Sequence, residues 1–122
     1  MAQTNPTTRN TELNAPYWSY VIHLPTLCVV KFGITSRLAE RIAELGRYAA
    51  TRGETKMLWT SIPSLRGVAR IVETELRQKM RPWRKPGHLE WVTGGAADYA
   101  SIVEQTITMQ REVASALGVS HV

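Results

Sequence analysis

The sequence predicts an α+β domain: a small, mostly antiparallel sheet of three to four strands flanked by helices, in the order β-β-α-β-α-(β)-α. Three observations carry this expectation. Two short apolar, β-branched runs stand close together early in the chain, separated by little more than Pro25-Thr26, as an antiparallel hairpin requires. Two later segments repeat their apolar residues every three or four positions, the period of a helix with one buried face. At 122 residues, with 43% hydrophobic and 20% charged, the chain supplies one sizeable core and not two.

Taken in order, residues 1–15 are polar, with Pro6 among them, and are expected to form a disordered arm ahead of a single domain at 16–122. The domain opens with Tyr17-Trp18-Ser19-Tyr20-Val21-Ile22-His23-Leu24, aromatic and β-branched, a strand. Cys28 to Ile34 is the second strand, in which Gly33 permits a bulge or a close backbone approach. Thr35 or Ser36 is expected to cap a first helix over about 36–51. Leu38, Ile42, Leu45 and Ala49 form its buried stripe, with Arg37, Arg41, Glu44 and Tyr48 off it. Gly53 ends it, and Lys56 to Ile62 makes a third strand stopped by Pro63. Ser64 is expected to cap a second helix that buries Leu65, Val68, Val72, Leu76 and Met80 and closes at Pro82. Pro86-Gly87 turns the chain, Leu89-Glu90-Trp91-Val92 is a short last strand, and Gly94-Gly95 breaks it. A final helix over 96–117 carries Ile102, Val103, Ile107, Val113 and Leu117 on its apolar side.

Composition narrows the chemistry. Apolar stretches such as Leu27-Cys28-Val29-Val30 are far too short to span a bilayer, and the N-terminal residues show no apolar core of the secretory type. The lone cysteine, Cys28, cannot form an internal disulfide and reads as core, which fits a cytoplasmic protein. His23, His88 and His121 have no ligand spacing, and with one cysteine they make a structural zinc site improbable. Neither a Walker-type loop nor a GxGxxG is present. Asp98 is the only aspartate, so the converging carboxylates of a two-metal phosphodiesterase are lacking. If the chain cleaves phosphodiesters, one metal on one or two carboxylates is what its inventory allows. The net charge of +5 says little by itself, but its distribution says more. Arg66, Arg70, Arg77, Lys79, Arg81, Arg84 and Lys85 cluster around Trp83 with only Glu73 and Glu75 against them, the footprint of a phosphate backbone or else a solvated face.

The segments S-Y-V-I-H-L, V-V-K-F-G-I-T and R-L-A-E-R, in that order, resemble the signature of the GIY-YIG nuclease superfamily, in the branch whose second motif reads K-[IFV]-G-[IV]-T. Tyr20 falls at the tyrosine of the first motif, and Gly33 at the glycine of the second. Arg41, eight residues past Gly33, falls at the phosphate-contacting arginine. A-R-I-V-E-T-E-L resembles the helix carrying the metal-binding glutamate, with Glu73 as the match, and G-H-L-E-W-V the strand that follows. The resemblance covers about residues 17–93. It implies a single-metal endonuclease using Mg2+ or Mn2+, with a nucleic acid, DNA foremost, as partner. Departures are Trp18-Ser19 in the first motif, Lys31 where many members carry a tyrosine, and Leu45 where some carry a histidine.

The chemistry of these residues agrees with the implied roles. A phosphodiester transition state gathers negative charge and needs fixed cations, and Arg41 is a planar, permanently charged fork. Glu73 is the implied metal ligand, because magnesium keeps most of its waters and needs few protein ligands. Tyr20 is placed to orient or deprotonate the attacking water, with Lys31 beside it, and His23 and Tyr48 are further candidates for the proton. Arg37, Arg66, Arg70, Arg77, Arg81, Arg84 and Lys85 would hold the flanking backbone. The same residues admit plainer roles. Arg41 can pair with Glu40 or Glu44, Glu73 with Arg70 or Arg77, and Tyr20 can be sheet packing; Glu75 offers the same metal chemistry as Glu73. The expectations are therefore two: an endonuclease, or a weakened or inactive nucleic-acid or partner-binding module on the same scaffold.

Overall fold

The computed structural model describes residues 15–25, 29–54, 56–83 and 98–118, and the backbone of 91–93. The hairpin forms as the sequence predicts. Strand β1, Trp18–Leu24, pairs antiparallel with β2, Val29–Thr35, in a register that sets Tyr20 opposite Gly33 and Ile22 opposite Lys31. Strand β3, Met57–Thr60, pairs antiparallel with the other edge of β1 and sets Thr60 beside Tyr20. Strand β4, Trp91–Thr93, pairs antiparallel with the outer edge of β2. The order is β3-β1-β2-β4, so the first two strands are central and the later ones are edges.

Alternation along the central strands divides the core in two. Val21, Val30 and Phe32 face one side, where they meet Val68, Val72 and Leu76 of α2 (Arg66–Lys79) and Ile102 of α3 (Tyr99–Ala116). Tyr20, Ile22, Leu24 and Val29 face the other, against Leu45 and Ala49 of α1 (Leu38–Thr51). The sheet is thus a middle layer, with α1 on one face and the α2–α3 pair on the other. Both faces need apolar residues, which is why β1 reads as a near-continuous apolar run. Val21, Ile22 and Leu24 are fully buried, each contributing about 1.5–3 kcal/mol by leaving water.

Several local expectations are corrected. Neither Thr35 nor Ser36 caps α1. Thr35 still belongs to β2, its hydroxyl accepts from the Arg37 N–H at 3.0 Å, and Arg37 itself occupies the cap with no side-chain acceptor. Ser64 does not cap α2, because its N–H and C=O are both committed to Tyr17, at 2.8 and 2.9 Å, in an isolated bridge. Leu65 takes the cap position and is 42% exposed rather than buried, since it stands outside the helical period. Met80, by contrast, is buried directly after α2, and a short 3-10 turn, Arg81–Trp83, follows it with Pro82 inside. Helix α3 is capped by Asp98, whose side chain accepts from the Ser101 N–H at 2.9 Å. Its buried side is more polar than expected. Thr106 and Gln110 lie there with Ile102, the Thr106 hydroxyl donating to the Ile102 carbonyl at 2.7 Å, whereas Leu117 is exposed. Residues 1–14 of the arm, Thr26, Cys28, Arg84, Lys85, Pro86-Gly87, Leu89-Glu90, Gly94-Gly95 and residues 96–97 lie outside the described residues.

Candidate active site

The central hairpin brings Tyr20 and Gly33 face to face on the α1 side of the sheet. Tyr20 is 2% exposed, yet it carries a hydroxyl that must find a partner. Its ring lies across Gly33. A Cβ at position 33 would stand 2.5 Å from the Tyr20 oxygen and 2.7 Å from Cζ, so only glycine leaves room for the phenol. Arg41 completes the group. Its N–H donates to the Arg37 carbonyl at 3.0 Å, which fixes its place in the first turns of α1. From there Nε and Nη2 both donate to the Tyr20 oxygen, at 3.1 and 2.9 Å, and Nη1 donates to Glu44 Oε2 at 2.7 Å. Burial works against the Arg41 charge, but the hydrogen bonds it donates to Glu44 and Tyr20 outweigh it and raise the pKa above the usual arginine value. Arg41 is a fixed cation.

Arg41 lines an open groove of about 400 Å³ where β2 runs into α1, and Tyr20 lies buried behind it, outside the groove's lining. Thr35, Ser36 and Tyr17 form one side and Arg37, Glu40, Arg41 and Glu44 the other. Arg37 pairs with Glu40 at 3.5 Å and Arg41 with Glu44 at 2.7 Å, both between neighbouring turns of α1. The Arg41 side chain is 35% exposed, so an anion entering the groove can reach it. Tyr17 and Ser36 are groove residues that motif reading passes over, and Thr35, which ends the second motif, joins them. The hairpin register contains the signal: with Tyr20 opposite Gly33, Trp18 falls opposite Thr35, and the start of β1 meets the end of β2.

Residues 5–107 match the T5orf172 domain, most of the chain. The chain belongs to the T5orf172 domain family. No curated protein and no solved structure matches it. The matched T5orf172 span contains the hairpin, the groove, α1, α2 and the first half of α3.

Not every expected site residue of this T5orf172 domain gathers at the groove. Lys31, by strand alternation, shares the sheet face of Tyr20. His23 points to the opposite face and stacks on Tyr99 of α3, ring centroids 5.8 Å apart. Tyr48 packs against the α1-side core, with the Arg52 guanidinium 3.5 Å above its ring. Glu73 belongs to α2, across the sheet, and is not among the groove's lining residues. Its side chain is 16% exposed, with Arg77 Nη2 at 3.5 Å from Oε1, while Glu75 is exposed.

At 100° per residue Arg66, Arg70 and Arg77 fall within about 40° of one another around α2, a ridge roughly 16 Å long. Glu73 lies between that ridge and the buried stripe. Arg70 is exposed, as is Arg81 just beyond the helix. The Arg66 Nε is buried and has no hydrogen-bond partner among the described residues. These residues hold no group of three or more His, Cys, Asp or Glu, and no helix among them is long and apolar enough to cross a membrane. One carboxylate is few enough ligands for an ion that keeps most of its water, such as Mg2+, but the Glu73 carboxylate is paired with Arg77 and would have to exchange that partner for the ion.

Proposed function

We propose that this T5orf172 domain is a GIY-YIG-type endonuclease that hydrolyses nucleic-acid phosphodiester bonds, DNA foremost, in the cytoplasm. Membership in the family supports a nucleic-acid partner. The observation that carries the reading is the Tyr20–Arg41 pair, in which a buried phenol oxygen accepts from two N–H groups of the guanidinium that lines an open groove. Packing alone does not call for a fixed cation there. We assign residues 16–122 to the one catalytic domain and residues 1–15 to a polar arm ahead of it.

In the mechanism, Arg41 supplies the preorganised positive charge that the transition state needs on its nonbridging oxygens. Its Nη1 is released when phosphate displaces Glu44, an exposed ion pair worth only about 0–1 kcal/mol. With both acceptor positions of the Tyr20 oxygen taken by Arg41, its O–H remains as a donor. Tyr20 therefore orients the attacking water or a phosphate oxygen by donating to it. Lys31, on the same face, adds a second cation. Arg37 holds the backbone at the groove, and the α2 ridge with Arg81, Arg84 and Lys85 holds it further along. Glu73, across the sheet from the groove, would hold one Mg2+ or Mn2+ there, an ion that when bound supplies Lewis-acid charge to a phosphate of the strand where it passes α2.

The test is cleavage of plasmid, single-stranded DNA and RNA, with and without Mg2+ or Mn2+, by the parent, Arg41→Ala and Glu73→Gln. Arg41→Ala is expected to lose cleavage by orders of magnitude and some binding; Glu73→Gln should lose cleavage and keep binding. Lost cleavage in Glu75→Gln with an unaffected Glu73→Gln moves the metal half a turn along α2. Unchanged cleavage in all three variants ends the reading. A binding module without hydrolysis is the second reading, favoured by Lys31 at the tyrosine position and by the closeness of the Arg41–Glu44 pair. It predicts salt-sensitive binding and no cleavage under any metal.

A further inference from the structure

The end of β3 and helix α3 enclose a second concavity, of about 260 Å³. The segment 59–62 forms one wall, and Ile107, Gln110 and Arg111 the other. This is below the roughly 300 Å³ at which sites for drug-sized ligands begin, and suits a single ring system. Two polar side chains are built into it under cover, Gln110 at 3% and Ser61 at 7% exposure. Both are held by the Ile62 carbonyl, which accepts from Ser61 Oγ at 2.7 Å and Gln110 Nε2 at 3.1 Å. Ser61 Oγ in turn accepts from the Ser19 N–H at 2.9 Å, so the floor is tied to the central strand. Folding alone would place an aliphatic residue at the Gln110 position, one turn beyond Thr106 and two beyond Ile102. Trp59 supplies an aromatic wall, and Arg111, exposed, a cation at the rim.

We infer that this concavity receives one unstacked nucleobase of the strand bound at the Arg41 groove. An aromatic surface, an amide edge offering acceptor and donor together, and a nearby cation are the groups by which proteins hold single bases. The two concavities are linked through the segment after β3. Ser61 and Ile62 line this one, while Ser64 bridges to Tyr17 at the groove. The choice of ligand rests on the nucleic-acid reading above, but the binding needs no hydrolysis.

The experiment measures affinity of the full chain for a short single-stranded DNA in EDTA, with one abasic nucleotide moved along the oligonucleotide. At one position the missing base should weaken binding by about fivefold or more, and Gln110→Met, similar in shape and without the amide, should erase that difference. Arg111→Ala, on the exposed rim, should reduce it, and carries the test if Gln110→Met fails to fold. Arg41→Ala should keep the abasic penalty. A chain that cuts nucleic acid yet shows no abasic penalty overturns the pocket and leaves the nuclease reading standing. A chain that cuts nothing yet shows the penalty does the reverse. Free nucleoside monophosphates that displace the oligonucleotide at comparable concentration overturn the strand as the source of the base and assign the pocket to a free nucleotide.

Discussion

Gly33 and Tyr20 are one unit, although thirteen positions separate them. Gly33→Ala is expected to push the phenol off Arg41, costing about 1–3 kcal/mol as overpacking does and cutting cleavage with it. Urea melts beside a cleavage assay check this, and full stability with full activity would show that the ring has somewhere else to go. Tyr99 gives a pH test. Burial raises its pKa above the usual tyrosine value in the folded chain. The folded state keeps this proton where the unfolded state has lost it, so the contribution is complete below the ordinary tyrosine range and is lost as pH rises through the raised value. Tyr99→Phe should flatten the alkaline limb of the stability curve and leave the neutral region nearly unchanged. Equal alkaline slopes in the two proteins would rule Tyr99 out as the source.

At the scale of elements, α1 begins badly for its own stability. Arg37 stands at the N-cap without an acceptor, a cation against the positive end of the helix. The same placement favours an anion in the groove. Arg37→Asp is therefore expected to raise stability by about 1 kcal/mol while weakening nucleic-acid binding, and thermal melts with a binding titration measure both. A variant that gains stability and binds as before would separate the cap from the interface. The sequence made the elements legible because periodicity and turns are local: the hairpin, α1 and α2 follow from Val21, Phe32, Leu45 and Val72 at the right spacings. The caps at Thr35 and Ser64 were not, because Ser64 is spoken for by Tyr17, 47 residues away, and nothing nearby in the chain announces it. The polar stripe of α3 was hidden likewise, since Gln110 is satisfied by Ile62 rather than by a neighbour. Within the candidate site, motif order pointed to Tyr20, Gly33 and Arg41. That α1 and α2 lie on opposite faces depends on strand alternation summed over the whole sheet.

For the whole molecule, the groove beside α1 and the arginine ridge on α2 belong to different layers, so a bound strand must pass around the sheet to meet both. If it does, Arg70→Ala should lower the slope of log affinity against log salt by about 1 for duplex DNA, and Arg37→Ala should do so independently. An unchanged slope for Arg70→Ala would take α2 off the path and leave the groove alone. The sheet order has a further consequence, in time rather than space. The central pair β1–β2 is also the pair closest in sequence, and each edge strand needs it as a template. Loop closure is cheapest there, so this hairpin is expected to lead the folding reaction and the edges to join after the barrier. Val21→Ala, at the centre, should then mainly slow refolding, while Leu58→Ala, on β3, should mainly hasten unfolding, as the two limbs of a denaturant chevron will show. Tyr20 and Gly33 would thus be registered against each other early, and Arg41 would dock onto a phenol already in place.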